Sequence, residues 1–197
     1  MALQSIDKTL SRIRAAYLAC NSYEDEGSAR FFIHRDGKPE CISDNNFRTV
    51  IAKPSSFTFE FNDPLTKTTG RTDGSISELT YYGVCKSDRE PSVSAAISRM
   101  YVHSKGAAAQ IAILILEDQS PIIKKSLLDQ PFIKMTIEIF QRTSCFCLTT
   151  ENGNMLLCGT DDHLIRYAQL SFSSPADSYV IYEYKSIMAN GGAAPAP

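Results

Sequence analysis

The chain has 197 residues, with 20 Lys and Arg set against 22 Asp and Glu, a length that suits one domain with its own core. The near-balanced charge excludes the dense basic stripe that nucleic-acid binding needs. No apolar run reaches the roughly 18 residues that cross a bilayer as a helix, and the most apolar stretch, Ala107–Leu116, falls well short of it.

From Ser5 to Cys20 the spacing predicts an amphipathic helix. Ile6, Leu10, Ile13, Tyr17 and Cys20 recur at steps of three and four, with Lys8, Arg12 and Arg14 on the other faces. Ser5 suits the N-cap and Asp7 the first turn. No basic segment and apolar run precede this helix, as expected of a cytosolic chain or of a mature form with a new initiator Met.

The period then changes to two. Phe31 and Ile33 alternate with Arg30, Phe32 and His34, Asp36-Gly37 marks a hairpin turn, and a second strand is expected through Cys41 to Ile51. Lys53-Pro54-Ser55-Ser56 breaks it. Phe57-Thr58-Phe59-Glu60-Phe61-Asn62 follows, with three rings on one face and polar groups on the other, and Asp63-Pro64 closes it. Short strands are predicted around Thr68–Thr72 and Ile76–Tyr82, joined at Asp73-Gly74.

Between Arg89 and Gln130 the helical period returns. Val93, Ala96, Ile97 and Met100 form one stripe, and Ala107–Leu116 is apolar nearly all round, the mark of a segment buried on several sides. Gly106 stands before it as a possible swivel. Pro121 interrupts, and Ile122–Leu128 adds a turn.

From Phe132 strands resume. Ile133, Met135, Ile137 and Ile139 alternate with Lys134, Thr136 and Glu138. Cys145–Thr150 and Met155–Thr160 flank Asn152-Gly153, a strong hairpin signal. Leu164–Phe172 and Tyr179–Lys185 complete the meander. The order helix, meander, helices, meander predicts an α+β fold: one large curved antiparallel sheet with helices on one face. Residues 1–187 form a single domain in this reading, and residues 188–197, rich in small residues and Pro/Gly, a disordered tail.

Chemistry-bearing motifs are sparse. The sequence has no Gly-rich phosphate loop, G-x-S-x-G or H-E-x-x-H. Cys20, Cys41, Cys85, Cys145, Cys147 and Cys158 form no CxxC pair and read as small buried hydrophobes rather than as metal ligands. Cys158, Asp161, Asp162 and His163 lie close together as ligands would, yet Gly159–Asp162 also reads as a simple turn. Glu24, Asp25 and Glu26 alternate faces on a strand, which makes a solvated edge rather than an acid/base pair. A two-residue turn at Asn152-Gly153 sets Glu151 against Asn154, Leu148 against Leu157 and Cys147 against Cys158. Opposed Cα atoms in such a register lie ~5.5 Å apart, within reach of a disulfide in an oxidising compartment.

Several segments resemble the LolA-like proteins, the lipoprotein-localisation-factor superfamily. Ala15-Ala16-Tyr17-Leu18-Ala19-Cys20-Asn21-Ser22-Tyr23-Glu24-Asp25-Glu26-Gly27 is similar to their N-terminal helix running into an SY-x-D-x-G strand. Lys53-Pro54-Ser55-Ser56-Phe57-Thr58-Phe59-Glu60-Phe61 resembles their P-x-x-F-x-F-E-F strand, and Asp73-Gly74 the DG turn that follows. Cys145-Phe146 and Leu164-Ile165-Arg166 resemble later strands of the family, and Ala107–Leu116 lies where it has mid-chain helices.

The resemblance implies a half-open β-barrel with helices in its concave mouth, an address in the bacterial periplasm or envelope, and the carrying of lipoprotein acyl chains or other lipids. On that reading the protein is a non-enzymatic carrier of a hydrophobic ligand, without a cofactor and without a metal, that meets a membrane only through its ligand. Phe57, Phe59 and Phe61 are then cavity wall or simply core, and Ile111, Ile113, Leu114 and Leu116 cover the sheet and gate the space behind. The alternatives are an interaction module that binds a partner on the sheet face or edge, and a hydrolase whose Cys nucleophile meets His34, His103 or His163.

Overall fold

Strand alternation dictates the architecture. In the computed structural model, which describes residues 2–54, 56–63, 66–73, 77–81, 84–88, 93–104, 106–116, 127–172 and 178–191, the chain opens with α1 (Ala2–Leu18). Six strands follow: β1 (Cys20–Arg35), β2 (Lys38–Ala52), β3 (Ser56–Asp63), β4 (Thr66–Thr72), β5 (Ser77–Tyr81) and β6 (Val84–Asp88). Then come α2 (Val93–His103), α3 (Ala107–Gln110), α4 (Ala112–Ile115) and a 3-10 turn at Leu127–Asp129. Five strands finish it: β7 (Phe132–Phe140), β8 (Thr143–Thr150), β9 (Met155–Gly159), β10 (Ile165–Phe172) and β11 (Ser178–Gly191). The strands form one antiparallel sheet in the order β6-β5-β4-β3-β2-β1-β11-β10-β9-β8-β7. It is open, with β6 and β7 as its edges. This is the α+β arrangement the sequence predicts.

One face of the sheet carries the helices. Its residues can be followed across the strands through Met135, Leu148, Leu156, Ala168, Tyr182, Ala29 and Asn45, each opposite the next. All except Met135 are buried. The predicted stripe of α1 faces the same way: Ile6, Ile13 and Tyr17 are buried and Leu10 packs against the core. α1 stops at Leu18, so Cys20 opens β1 instead of ending the helix. The Asp36-Gly37 turn forms as expected, with both residues at positive φ (51° and 73°) and Arg35 paired with Lys38. Gly27, at a register shift between β1 and β11, lies under the Phe47 ring and against the Glu183 carbonyl.

Five expectations need correction. The β8–β9 hairpin has a three-residue loop, Glu151-Asn152-Gly153: Thr150 N–H donates to Asn154 O (3.0 Å), and Gly153 adopts φ 77°. The register therefore moves by one residue. Cys147 faces Leu157, Cys158 faces Phe146 and Leu148 faces Leu156. A one-residue slip exchanges faces: Cys158 lies in the helix-side core, while Cys147 joins Cys145 and Leu157 in a small cluster on the outer face. Both thiols are free.

The second correction is β6, a strand that the sequence reading does not anticipate. The third is the end of the sheet, since β11 runs to Gly191 and pairs Met188 with Glu24 and Asn190 with Ser22, inside the stretch assigned to a tail. The fourth concerns the acidic run: Glu24 pairs with Arg48, but Asp25 is fully buried.

The fifth is β7. Ile133 is the unmatched residue of a bulge between Phe132 and Lys134, and Ile137 and Ile139 are 67% and 74% exposed. At the hairpin tip Gln141 Nε2 donates to Glu183 Oε1 (2.7 Å), and Phe140 packs edge-on to Tyr167 (5.7 Å). These contacts hold the tip to outer-face residues, and Ile137 and Ile139, which share the helix side with Met135 by strand parity, lie open to solvent. The breaks expected at Ser55, Pro64 and Gly74, the Pro121 interruption and residues 192–197 lie outside the described residues.

Gly27→Ala tests the packing at the centre of the sheet. Its Cβ would meet a backbone carbonyl that cannot move aside, so the variant should lose about 1–3 kcal/mol of stability. A lower urea midpoint with an unchanged slope is the expected result.

Candidate ligand-binding face

Alternation along β3 sends Phe57, Phe59 and Phe61 to the helix side, where all three are buried. Their rings stack in a ladder at 6.3 Å spacing, and Phe47 continues it from β2 at 6.1 Å from Phe59. α2 stands over this ladder against β3 and β4. Its stripe reads as predicted, with Ala96, Ile97 and Met100 buried and Val93 half-buried. Met100 lies directly over Gly70, which pairs with Phe59, and a Cβ there would displace it.

Ile111, Ile113 and Leu114 are buried and Leu116 is half-buried, all in the same core as the aromatic ladder. They reach it through different elements. α4 packs against α1, and α3 packs against α2 and α4 and reaches β11 through Gln110, which hydrogen-bonds the Tyr182 hydroxyl. Every residue from Ala107 to Ile115 is buried, as its all-round apolar character implies. The segment is not one helix: Ile111 divides two single turns, and neither N-cap residue, Gly106 or Ile111, makes a side-chain cap bond. Gly106 enters it at φ 93°, with Tyr101 and the Tyr182 hydroxyl pressed against the space a side chain would take. Ser104 Oγ accepts from Ala108 N–H (3.0 Å) and Gly106 O from Gln110 Nε2 (3.3 Å). The cover over the middle of the sheet is thus apolar, short and discontinuous.

Beneath α1 lies a polar cluster that the sequence reading misses. Tyr23 and Asp25 point inward from β1 beside Tyr17 and Tyr184, and all four side chains are buried. The Tyr23 hydroxyl donates to Asp25 Oδ2 (2.8 Å), and Tyr17 Oη accepts from Ile165 N–H (2.9 Å). The Tyr184 hydroxyl has no partner among the described residues. Burial pushes the Asp25 carboxyl up to about 7, although hydrogen bonds from Thr49, opposite on β2, and from Tyr23 pull it back. Burial also raises all three tyrosines. The available signal was the parity of Asp25 with Tyr23 and Gly27, which fixes its face.

The remaining candidates resolve plainly. The Gly159–His163 segment is a turn: Leu164 N–H donates to Asp162 Oδ1 (3.0 Å), Asp162 pairs with Arg166, and His163 Nδ1 lies 3.2 Å from Gly159 O. Among the described residues no group of His, Cys, Asp and Glu is placed to hold a metal ion. Burial raises the thiols of Cys20, Cys145 and Cys147, and that of Cys158 to about 12. That is the opposite of the activation a thiolate nucleophile needs. A cleft of about 480 Å³ opens beside Ser56, Thr58, Thr72 and Asp73, and the Arg71–Glu78 ion pair (2.5 Å) forms part of its lining.

Solved structures with a similar fold include three bacterial proteins. One is a DUF1329 family protein from Desulfovibrio piger, with 11% identity over 95% of this chain and 92% of that one, at TM-score 0.33. Another is a putative outer membrane lipoprotein-sorting protein domain from Vibrio parahaemolyticus, with 9% identity over 95% and 94%, at TM-score 0.35. The third is a LolA superfamily protein from Nitrosomonas europaea, with 8% identity over 95% and 93%, at TM-score 0.37. Likeness of this degree carries no function across. No family model and no curated protein matches the sequence.

Asp25 supplies a test of the buried cluster. Its carboxyl titrates near 7 in the folded chain and at the ordinary 3.8 when unfolded. Between those values only the folded state holds the proton, so stability falls as pH rises from about 4 to about 7. Asp25→Asn should remove that fall, a slope difference of up to about 1.4 kcal/mol per pH unit. Urea unfolding at pH 4.5 and 7.5 measures it, and equal pH dependence in both proteins would contradict the assignment.

Proposed function

We propose that this protein is a non-enzymatic carrier or binding protein for a hydrophobic ligand of the acyl-chain type, taken up between the sheet and its helices. The observation that supports this most directly is the cover over the apolar face. α3 and α4 are two single turns of mostly small and aliphatic residues, entered at Gly106, and they belong to the same apolar core as the stacked rings that lie under α2. Displacing such a cover costs few polar bonds, and each CH₂ of an acyl chain buried in its place returns ~0.8 kcal/mol. Phe57, Phe59 and Phe61 would form one wall, and Ile111, Ile113, Leu114 and Leu116 the movable one. The motif resemblance to LolA-like proteins accords with this reading, and a place in the bacterial periplasm or envelope belongs to the same proposal. The membrane enters only as the source or destination of the ligand.

Leu114→Ala distinguishes a gate from a fixed core. In a gated cover the variant takes up more of a fluorescent hydrophobic dye than the wild type under native conditions. In a fixed core it loses about 2–5 kcal/mol of stability, as truncated Leu residues do, with no gain in dye uptake. Native mass spectrometry of the purified wild type, with lipid extraction, supplies the second arm. Co-purifying acyl species are expected, and their absence together with unchanged dye uptake would overturn the proposal.

A further inference from the structure

β7 ends the sheet with β8 as its one neighbouring strand among those described. Natural edge strands are normally short or blunted, because an unpaired edge is a template for another strand. β7 has nine residues, Phe132–Phe140. It is also apolar where it is most open, at Ile133, Ile137 and Ile139.

Its sequence, Phe-Ile-Lys-Met-Thr-Ile-Glu-Ile-Phe, is self-complementary about Thr136. When two copies of the strand run antiparallel with Thr136 on the two-fold axis, Lys134 of each faces Glu138 of the other, and Met135 faces Ile137. Beyond these, Ile133 and Ile139 come opposite, and so do Phe132 and Phe140. Residues 134–140 pair with β8 without a register shift, so the inner five pairs, from Lys134 to Glu138, rest on regular strand. Lys134 and Glu138 are both exposed. By strand parity they share the outer face with Thr136, while Met135 and Ile137 share the helix side. An edge lysine discourages pairing with unrelated strands, yet opposite a carboxylate it favours this one register.

We propose that the chain forms a two-fold symmetric dimer by antiparallel pairing of β7 with β7 of a second copy, in the register set by Lys134 and Glu138. The pairing extends the sheet through both copies and gives the exposed Ile137 side chains an apolar neighbour in Met135 of the second copy. It is independent of ligand binding, since a monomer could still carry one.

Charge exchange tests the register. In a dimer of Glu138→Lys each lysine at 134 faces another lysine, and in a dimer of Lys134→Glu each carboxylate at 138 faces another carboxylate. Each single variant should raise the dissociation constant about tenfold or more. A one-to-one mixture of the two restores both opposite-charge contacts and should dimerise as the wild type does, as should the double exchange Lys134→Glu/Glu138→Lys. Sedimentation velocity across a concentration series, with circular dichroism to establish folding, reads all five samples. A wild type that stays monomeric throughout the series overturns the proposal. So do single variants that dimerise unchanged, or a mixture that does not recover.

Discussion

The structure depends on covering one face of a wide sheet. Alternation along each strand places a continuous row of apolar and aromatic groups on that face, from Met135 on β7 to Asn45 on β2 and on to the ladder of Phe57, Phe59 and Phe61. An open sheet cannot close on itself to bury them. Four helical pieces must do it instead, and they do it unequally. α1 and α2 are regular helices with a defined apolar stripe. The middle is left to α3 and α4, which are single turns. The least regular part of the cover therefore lies over the middle of the sheet.

Buried polarity lies on both sides of this division. Under α1 the sheet carries polar groups: Asp25, Tyr23 and Tyr184 are buried there beside Tyr17 of the helix. Where the cover is broken, many contacts are between hydrocarbon groups, but Gln110 hydrogen-bonds Tyr182, Ser104 Oγ accepts from Ala108 N–H, and Asn45 is buried two strands on in the same row. The buried carboxyl lies beside α1 and the aromatic ladder under α2, while the aliphatic groups of α3 and α4 belong to the same core.

Much of the fold is legible in the sequence because it rests on periodicity. The stripe of α1, the rings of β3, the stripe of α2 and the all-round burial of Ala107–Ile115 follow from spacing alone. What is not legible depends on geometry that spacing does not encode. Asn152-Gly153 suggests a two-residue turn, but Gly153 serves a three-residue loop, and one added residue is enough to part Cys147 from Cys158. The Gln141-Arg142 turn holds both residues at positive φ without a glycine to announce it, and Ile137 and Ile139 face solvent although their alternation matches that of a buried strand. Asp25 looked like part of a solvated run because its neighbours are charged, although strand parity assigns it to the inner face. Of the candidate site, the burial of the residues is legible and their grouping is not: the aromatic ladder lies under α2, while Ile113 and Leu114 belong to the helix that meets α1.

The central pairing of the sheet sets the order in which the protein can assemble. β1 pairs on one side with β2, its neighbour in sequence, and on the other with β11, which ends at Gly191. During synthesis the β1–β6 meander can form early from local hairpins. The second edge of β1, a strand of sixteen residues, waits until β11 has emerged. Contacts so distant in sequence must repay a large loop-closure entropy and make folding slow. Through that interval one edge of β1 stays unpaired beside the aromatic face, the kind of surface on which partly folded chains aggregate.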